Sequence, residues 1–345
     1  MSEPILLPTA EIAGPWHLQP PDITEIRLAA EAAAGQLVRT PLLESERVNR
    51  QLGGRLLLKA EGLQKTGSFK ARGALNFLGA MSPEDRRRGV VAFSSGNHAQ
   101  AVAWAAARYG APALVIMPQA APATKVARTL SWGAKVRQID WRAEDPASLC
   151  RALAAEYGMT MLPPFEDRRV LAGAATLGLE IVEQAARLGA PALDAVFVNC
   201  SGGGLLAGCA IAIHALSPAT EIWGVEPEGF DDLGRSLAAG RRLVNEPGPT
   251  SICDALVARS TGDLTFAIAR QHVRGAVQVS DAEVLAAIRF AFEEFRVVVE
   301  PGGAAALAAV LLGRVEVKGR AIAITASGSN IDAEVYRRAL AAADD

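Results

Sequence analysis

The residue with most chemistry to offer is Lys70, in the run Gln64-Lys65-Thr66-Gly67-Ser68-Phe69-Lys70-Ala71-Arg72-Gly73-Ala74. An apolar run at 56–60 reads as a strand entering this stretch. Ser68 reads as the N-cap of a helix leaving it, with Phe69, Ala74, Leu75, Phe77 and Leu78 as the apolar stripe. Lys70 then lies in the first helical turn, where backbone N–H groups and the positive dipole end gather. Such surroundings favour the neutral amine, the form that condenses with an aldehyde. A lone lysine is ordinarily a solvated surface group. Here the flanking Thr-Gly-Ser and Arg-Gly-Ala argue for a backbone shaped around something.

Three further strand-to-helix junctions carry loops that chemistry can use. Ser94-Ser95-Gly96-Asn97-His98 follows an apolar run and offers small residues at a helix start, a cradle for a carboxylate or phosphate. A simple capped turn explains it equally well. Cys200-Ser201-Gly202-Gly203-Gly204-Leu205 is a stronger signal, because three glycines weaken a helix unless main chain must approach an anion. A rival reading fits this loop. Gly202, Gly204 and Ala207 match G-x-G-x-x-A, and Glu226 sits where a ribose-binding acid belongs, which describes an NAD(P) oxidoreductase. The third junction places Ser327 at a strand end, as a site hydroxyl or a mere helix cap. Finally, Glu226-Pro227-Glu228-Gly229-Phe230-Asp231-Asp232 offers oxygen ligands suited to Mg²⁺ or Ca²⁺, although an exposed acidic turn accounts for it too.

The elements that position these loops follow a βαβ rhythm. Strands are predicted at 90–93, 113–117, 135–139, 195–199, 222–225 and 321–325. Helices are predicted at 23–35, 99–109, 124–132, 147–157, 171–187, from 205, 281–295 and 304–312. Alternation at this spacing implies parallel sheets with helices between the strands. The Pro-rich 1–21 segment reads as an arm, and Pro163-Pro164 as the best internal boundary.

Composition narrows the class. The chain has 345 residues, 50% of them hydrophobic, and a net charge of −2, which gives no reason to expect a nucleic-acid or membrane partner. Cys150, Cys200, Cys209 and Cys253 lack metal-ligand spacing. No apolar stretch is long enough to span a bilayer, and no signal peptide is evident, so a cytoplasmic location is expected. The apolar composition also fits a homodimer.

Taken together, Gln64-x-Thr66-Gly67-Ser68-Phe69-Lys70-x-Arg72-Gly73-Ala74, Ser94-Ser95-Gly96-Asn97-His98-Ala99-Gln100, Gly202-Gly203-Gly204-Leu205 and Ser327-Gly328-x-Asn330 resemble the pyridoxal-phosphate enzymes of the threonine dehydratase and serine racemase family. The resemblance implies fold type II (tryptophan synthase beta-like): two open parallel-sheet α/β domains with the cofactor in the cleft. It places a small domain at 89–166 and a large one at 1–88 plus 167–345. Carried over, Lys70 would hold pyridoxal phosphate as a Schiff base and take the α-proton, and Phe69 would flank the ring. Asn97 would bond the 3-hydroxyl oxygen, Gly202, Gly203, Gly204 and Leu205 would hold the phosphate, and Ser327 would meet the ring nitrogen. Glu300 matches a family glutamate near the ring. Residues Ser94, Ser95, Gly96, Asn97 and His98 would take the substrate carboxylate. Glu226, the Phe230 carbonyl and Asp232 resemble the divalent-metal site of some members (Mg²⁺, Ca²⁺ or Mn²⁺).

The implied activity is a dehydratase, or ammonia-lyase, of a β-hydroxy amino acid such as threonine, serine or 3-hydroxyaspartate. It would release a 2-oxo acid and ammonia. Ser95 stands where family racemases carry serine and dehydratases carry alanine, so a serine-racemase-like activity is the alternative, with Ser95 as a second base. Cys253-Asp254-Ala255 and Ser329 depart from the usual pattern and leave the substrate open.

Overall fold

A computed structural model describes residues 18–190 and 192–341. The arm expected at 1–21 falls outside them up to residue 17. The chain enters through helix α1 (Ile23–Ala33), strand β1 (Leu42–Glu44), helix α2 (Glu46–Leu52) and strand β2 (Arg55–Ala60). Helices α3 (Lys70–Gly79) and α4 (Pro83–Arg88) follow. Then come β3 (Val90–Phe93), α5 (Asn97–Tyr109), β4 (Ala113–Pro118), α6 (Ala123–Ser131), β5 (Lys135–Ile139), α7 (Pro146–Tyr157) and β6 (Thr160–Met161). The next run is α8 (Arg168–Arg187), β7 (Ala195–Asn199), α9 (Gly204–Leu216), β8 (Glu221–Pro227) and α10 (Asp232–Ala239). The last is α11 (Asp263–His272), β9 (Gly275–Val279), α12 (Asp281–Phe290), α13 (Pro301–Leu311), β10 (Ala321–Ala326) and α14 (Ala333–Ala341).

Two sheets result, one ordered β1-β2-β10-β7-β8-β9 and the other β5-β4-β3-β6. Every strand pair is parallel except β1 with β2. Parallel strands buried on both faces read as continuous apolar runs, and the burial shows why. In β2, Leu56 and Leu58 pack with Ile322, Ile324 and α13 on one face. Leu57 packs with Ala323, Val196, α8 and α9 on the other. In the second sheet Val90, Ala92 and Val115 face α3 and α5, whereas Val91 and Ile116 face α7.

Behind α3 lies a buried charge network. Arg72 bonds Glu61 at 2.7 Å and Glu180 at 2.8 Å, and Lys59 bonds Glu180 at 2.6 Å. It ties β2, α3 and α8 together and fixes the base of the turn that carries Lys70. Two expectations need correction. Ser68 caps no helix: its hydroxyl is buried with no hydrogen-bond partner among the described residues, and its backbone forms an antiparallel bridge with Gly328 instead. The helix expected at 281–295 ends at Phe290 and continues as a wider π turn that Arg296 closes in the left-handed region, φ 59°.

Candidate active site

Strands β2, β10 and β7 are adjacent and parallel, so the loops after them emerge at one edge. The loop after β3 of the second sheet meets them there. Carboxyl ends of parallel strands are where open α/β sheets bind ligands. A cavity of about 250 Å³ opens at this edge, lined by Phe69, Lys70, residues 94–98, 201–205, Glu300 and Ser327. The four motifs legible in the sequence therefore converge on one cleft.

Lys70 is the first residue of α3. Its Nζ donates to the Pro164 carbonyl at 2.9 Å, and among the described residues no carboxylate pairs with it. Burial without a counter-charge lowers its pKa from 10.5 to about 8. The Phe69 ring lies 5.2 Å from Nζ. His98 is buried, bonded through Nε2 to the Leu162 carbonyl, and lowered to about 3, mainly by desolvation and then by the Lys70 charge. It is a neutral structural imidazole, not an acid.

The glycine turn is shaped by what lies under it. A Cβ on Gly202 would fall 2.1 Å from the Phe165 ring, and Gly203 adopts φ 87° against Thr265. The loop thus packs backbone-down on Phe165, presenting the N-terminus of α9 to the cleft.

Ser327 gains its direction from Asn199. The Ala306 N–H donates to Asn199 Oδ1 at 2.7 Å, which turns Nδ2 toward Ser327 Oγ at 3.1 Å. Ser327 accepts there, so its own proton is free to donate into the cleft. Asn97 donates from Nδ2 to Glu300 Oε1 at 2.5 Å. Glu300, also bonded by the Asn330 N–H at 3.0 Å, is pushed up to about 7 by burial and by the neighbouring Asp254 charge.

Several lining residues escaped the sequence reading: Lys125, Trp141, Phe165 and Asn199; Asp254 was singled out only as part of Cys253-Asp254-Ala255. Lys125 from α6 pairs with Asp254 across the cleft. None carries a spacing signal; Phe165 after Pro163-Pro164 was the nearest to one. Glu226 and Asp232 lie elsewhere and do not line this cleft. Glu226, 1% exposed, accepts from the Leu233 and Gly234 N–H groups at 2.9 and 3.0 Å, so it caps α10 and is no ribose-binding acid beside the glycine loop. Asp232 accepts from Thr261 N and Asn245 Nδ2. Burial raises both carboxyls, Glu226 to about 8. Among the described residues no group of three His, Cys, Asp or Glu side chains is arranged to hold a metal.

Comparison with known proteins agrees with this geometry. Residues 34–328 match the family described as pyridoxal-phosphate dependent enzyme. The L-threo-3-hydroxyaspartate ammonia-lyase of Saccharomyces cerevisiae is 40% identical over 307 residues, covering 89% of this chain and 92% of the relative. A serine racemase of Schizosaccharomyces pombe is 37% identical over 316 residues, covering 92% and 96%. The solved T.th. threonine deaminase is 45% identical, with a TM-score of 0.85 over 90% of this chain and 99% of that one. By the extent and identity of these matches, the chain belongs to the pyridoxal-phosphate-dependent enzymes.

Proposed function

We propose that the protein is a pyridoxal-phosphate-dependent ammonia-lyase that dehydrates a β-hydroxy amino acid such as 3-hydroxyaspartate, threonine or serine. The observation that carries this is Lys70: a half-buried amine lowered to about 8 and facing a glycine turn, with no acidic partner among the described residues. The donor set fits the cofactor. Lys70 supplies the neutral amine an aldehyde needs, α9 and Gly202–Gly204 an anion site, and Asn97 and Ser327 donors directed into the cleft. Bound there, pyridoxal phosphate supplies the electron sink that makes a substrate α-proton removable.

The chain's own groups do the rest. The first turn of α5 offers N–H groups without intrahelical acceptors, and with Ser94 and Ser95 it holds the substrate carboxylate. Lys70 Nζ, whose pKa of about 8 leaves a usable unprotonated fraction near neutral pH, accepts the α-proton in that form. Ser327 is a neutral donor, which favours loss of a β-hydroxyl over transamination. Phe165 and Trp141 limit water at the glycine turn and the mouth. The racemase reading is kept as second because Ser95 lines the same cleft as Lys70 and can serve as a base on the opposite face.

We further assign residues 89–166 to a small domain and 1–88 plus 167–345 to a large one, supported by the two separate sheets. A divalent cation at Glu226, Asp232 and the Phe230 carbonyl is proposed from the acidic loop's resemblance alone; to bind it, both carboxylates would have to give up the N–H groups they accept from. A homodimer and a cytoplasmic location belong to the same proposal; no helix among the described residues is long and apolar enough to cross a membrane. The test is release of 2-oxo acid from serine, threonine and hydroxyaspartate isomers, with and without Mg²⁺, and chiral analysis for D-serine. Oxo acid from at least one is expected. Release from none, with D-serine formed, would favour the racemase; neither product would refute both for these substrates.

A further inference from the structure

Asn330 ends the fourth motif without itself lining the cleft. It is 8% exposed, and its polar atoms are occupied in only one way. Nδ2 donates to the Thr66 carbonyl and to Asn97 Oδ1, both at 2.8 Å. Oδ1 accepts from Arg128 Nη1 at 2.9 Å, and the backbone N–H donates to Glu300 Oε2 at 3.0 Å. A carbonyl only accepts and a guanidinium only donates, so the amide's direction is fixed from both sides. The turn it binds is a strained one, with Thr66 at φ 64°, and it precedes Phe69 and Lys70.

The consequence falls on Asn97. Because Asn97 Oδ1 accepts a hydrogen bond from Asn330 Nδ2, its own Nδ2 must face Glu300 and the cleft. One Nδ2 hydrogen goes to Glu300, and the second is left for a ligand. Glu300 alone would not enforce this. Its carboxyl, held up near 7, exists both as acceptor and as donor around neutrality and so tolerates either orientation of Asn97.

We propose that Asn330 is a positioning residue, which fixes the direction of the Asn97 amide so that one Nδ2 hydrogen points at the ring oxygen of the bound cofactor. This rests on the assignment of the cleft to pyridoxal phosphate made above. Arg128, on α6, ties the second sheet's helix layer to the same amide.

The test uses full-length protein loaded with pyridoxal phosphate: wild type, Asn330→Asp, Asn97→Ala and the double variant. The pH midpoint of the bound cofactor's absorbance band is read. A donor at the ring oxygen stabilises its anion, so losing that donor raises the midpoint. A rise of about one to two pH units is expected in each single variant, the size of one hydrogen bond to a charged acceptor. No additional rise is expected in the double variant, because Asn330 acts through Asn97. An unchanged midpoint in Asn330→Asp, with Asn97→Ala shifted, would overturn the proposal even if cofactor affinity or thermal stability fell, as a merely structural role allows. A further rise in the double variant would also overturn it. Should Asn330→Asp not fold, Asn330→Ala gives the same reading with the same sign. Absence of any band in wild-type protein, with no borohydride-stable adduct on Lys70, would refute the cofactor assignment and not this step alone.

Discussion

Replacing Lys70 by methionine should stabilise the cofactor-free protein while abolishing its chemistry. The side chains are similar in length, so the main change is removal of a half-buried, poorly solvated ammonium. Holding the amine at about 8 instead of 10.5 costs the protonated folded chain about 3 kcal/mol at pH 7. Losing the 2.9 Å bond to the Pro164 carbonyl takes back about 1 kcal/mol. The net gain is about 2 kcal/mol at pH 7. Its sign depends on pH in a defined way. Below about pH 8 folded and unfolded chains both carry the proton, and the full penalty is present. Between about 8 and 10.5 the folded chain loses its proton first, so wild-type stability rises toward that of the variant. At about pH 9.5 the penalty has fallen to about 1.4 kcal/mol and the net gain is near zero. Urea unfolding of both cofactor-free proteins at these two pH values checks this. A variant equally stable or less stable at neutral pH, or a gain that does not shrink on raising pH, would refute the burial argument.

Other outcomes follow from the same geometry. Gly202→Ala should weaken pyridoxal-phosphate binding about 100-fold or more, since its Cβ would land 2.1 Å from Phe165, which is also packed under Gly204; fluorescence titration measures it. Arg72→Met should cost about 3–5 kcal/mol in denaturant unfolding, because Glu61, 0% exposed, and Glu180 lose their shared cation. If the acidic loop takes a divalent cation, Mg²⁺ should raise the thermal midpoint of wild type and leave that of Glu226→Gln unmoved; identical midpoints with Mg²⁺ and with chelator in wild type would remove the metal from the account.

Sequence revealed most where burial is two-sided. The strands at 90–93 and 195–199 match the structure residue for residue, because a continuous apolar run between polar breaks admits few registers; 135–139 also matches, although it is a largely exposed edge strand placed by the βαβ rhythm alone. Short strands such as β1 and β6 were not legible: two or three residues carry no period. Ser68 misled because a good capping residue was used for a bridge to Gly328, a contact set by residues 260 positions away. The four loops of the cleft could be named because they occur together, each at a strand end, although the serine loops taken singly read as ordinary capped turns. Lys125, Trp141 and Phe165 could not, since each is an ordinary residue until the second sheet's helices are brought over the edge of the first. The polarity of Asn199 and Asn330 was equally hidden, because it exists only in what donates to them.

The most direct measurement is borohydride reduction of the protein loaded with pyridoxal phosphate, followed by peptide mass analysis, with Lys70→Ala run alongside. The expected result is one stable cofactor adduct, on Lys70, and loss of turnover in the variant. An adduct on Lys65 or elsewhere with Lys70 unmodified, or turnover at the native rate in Lys70→Ala, would contradict the account.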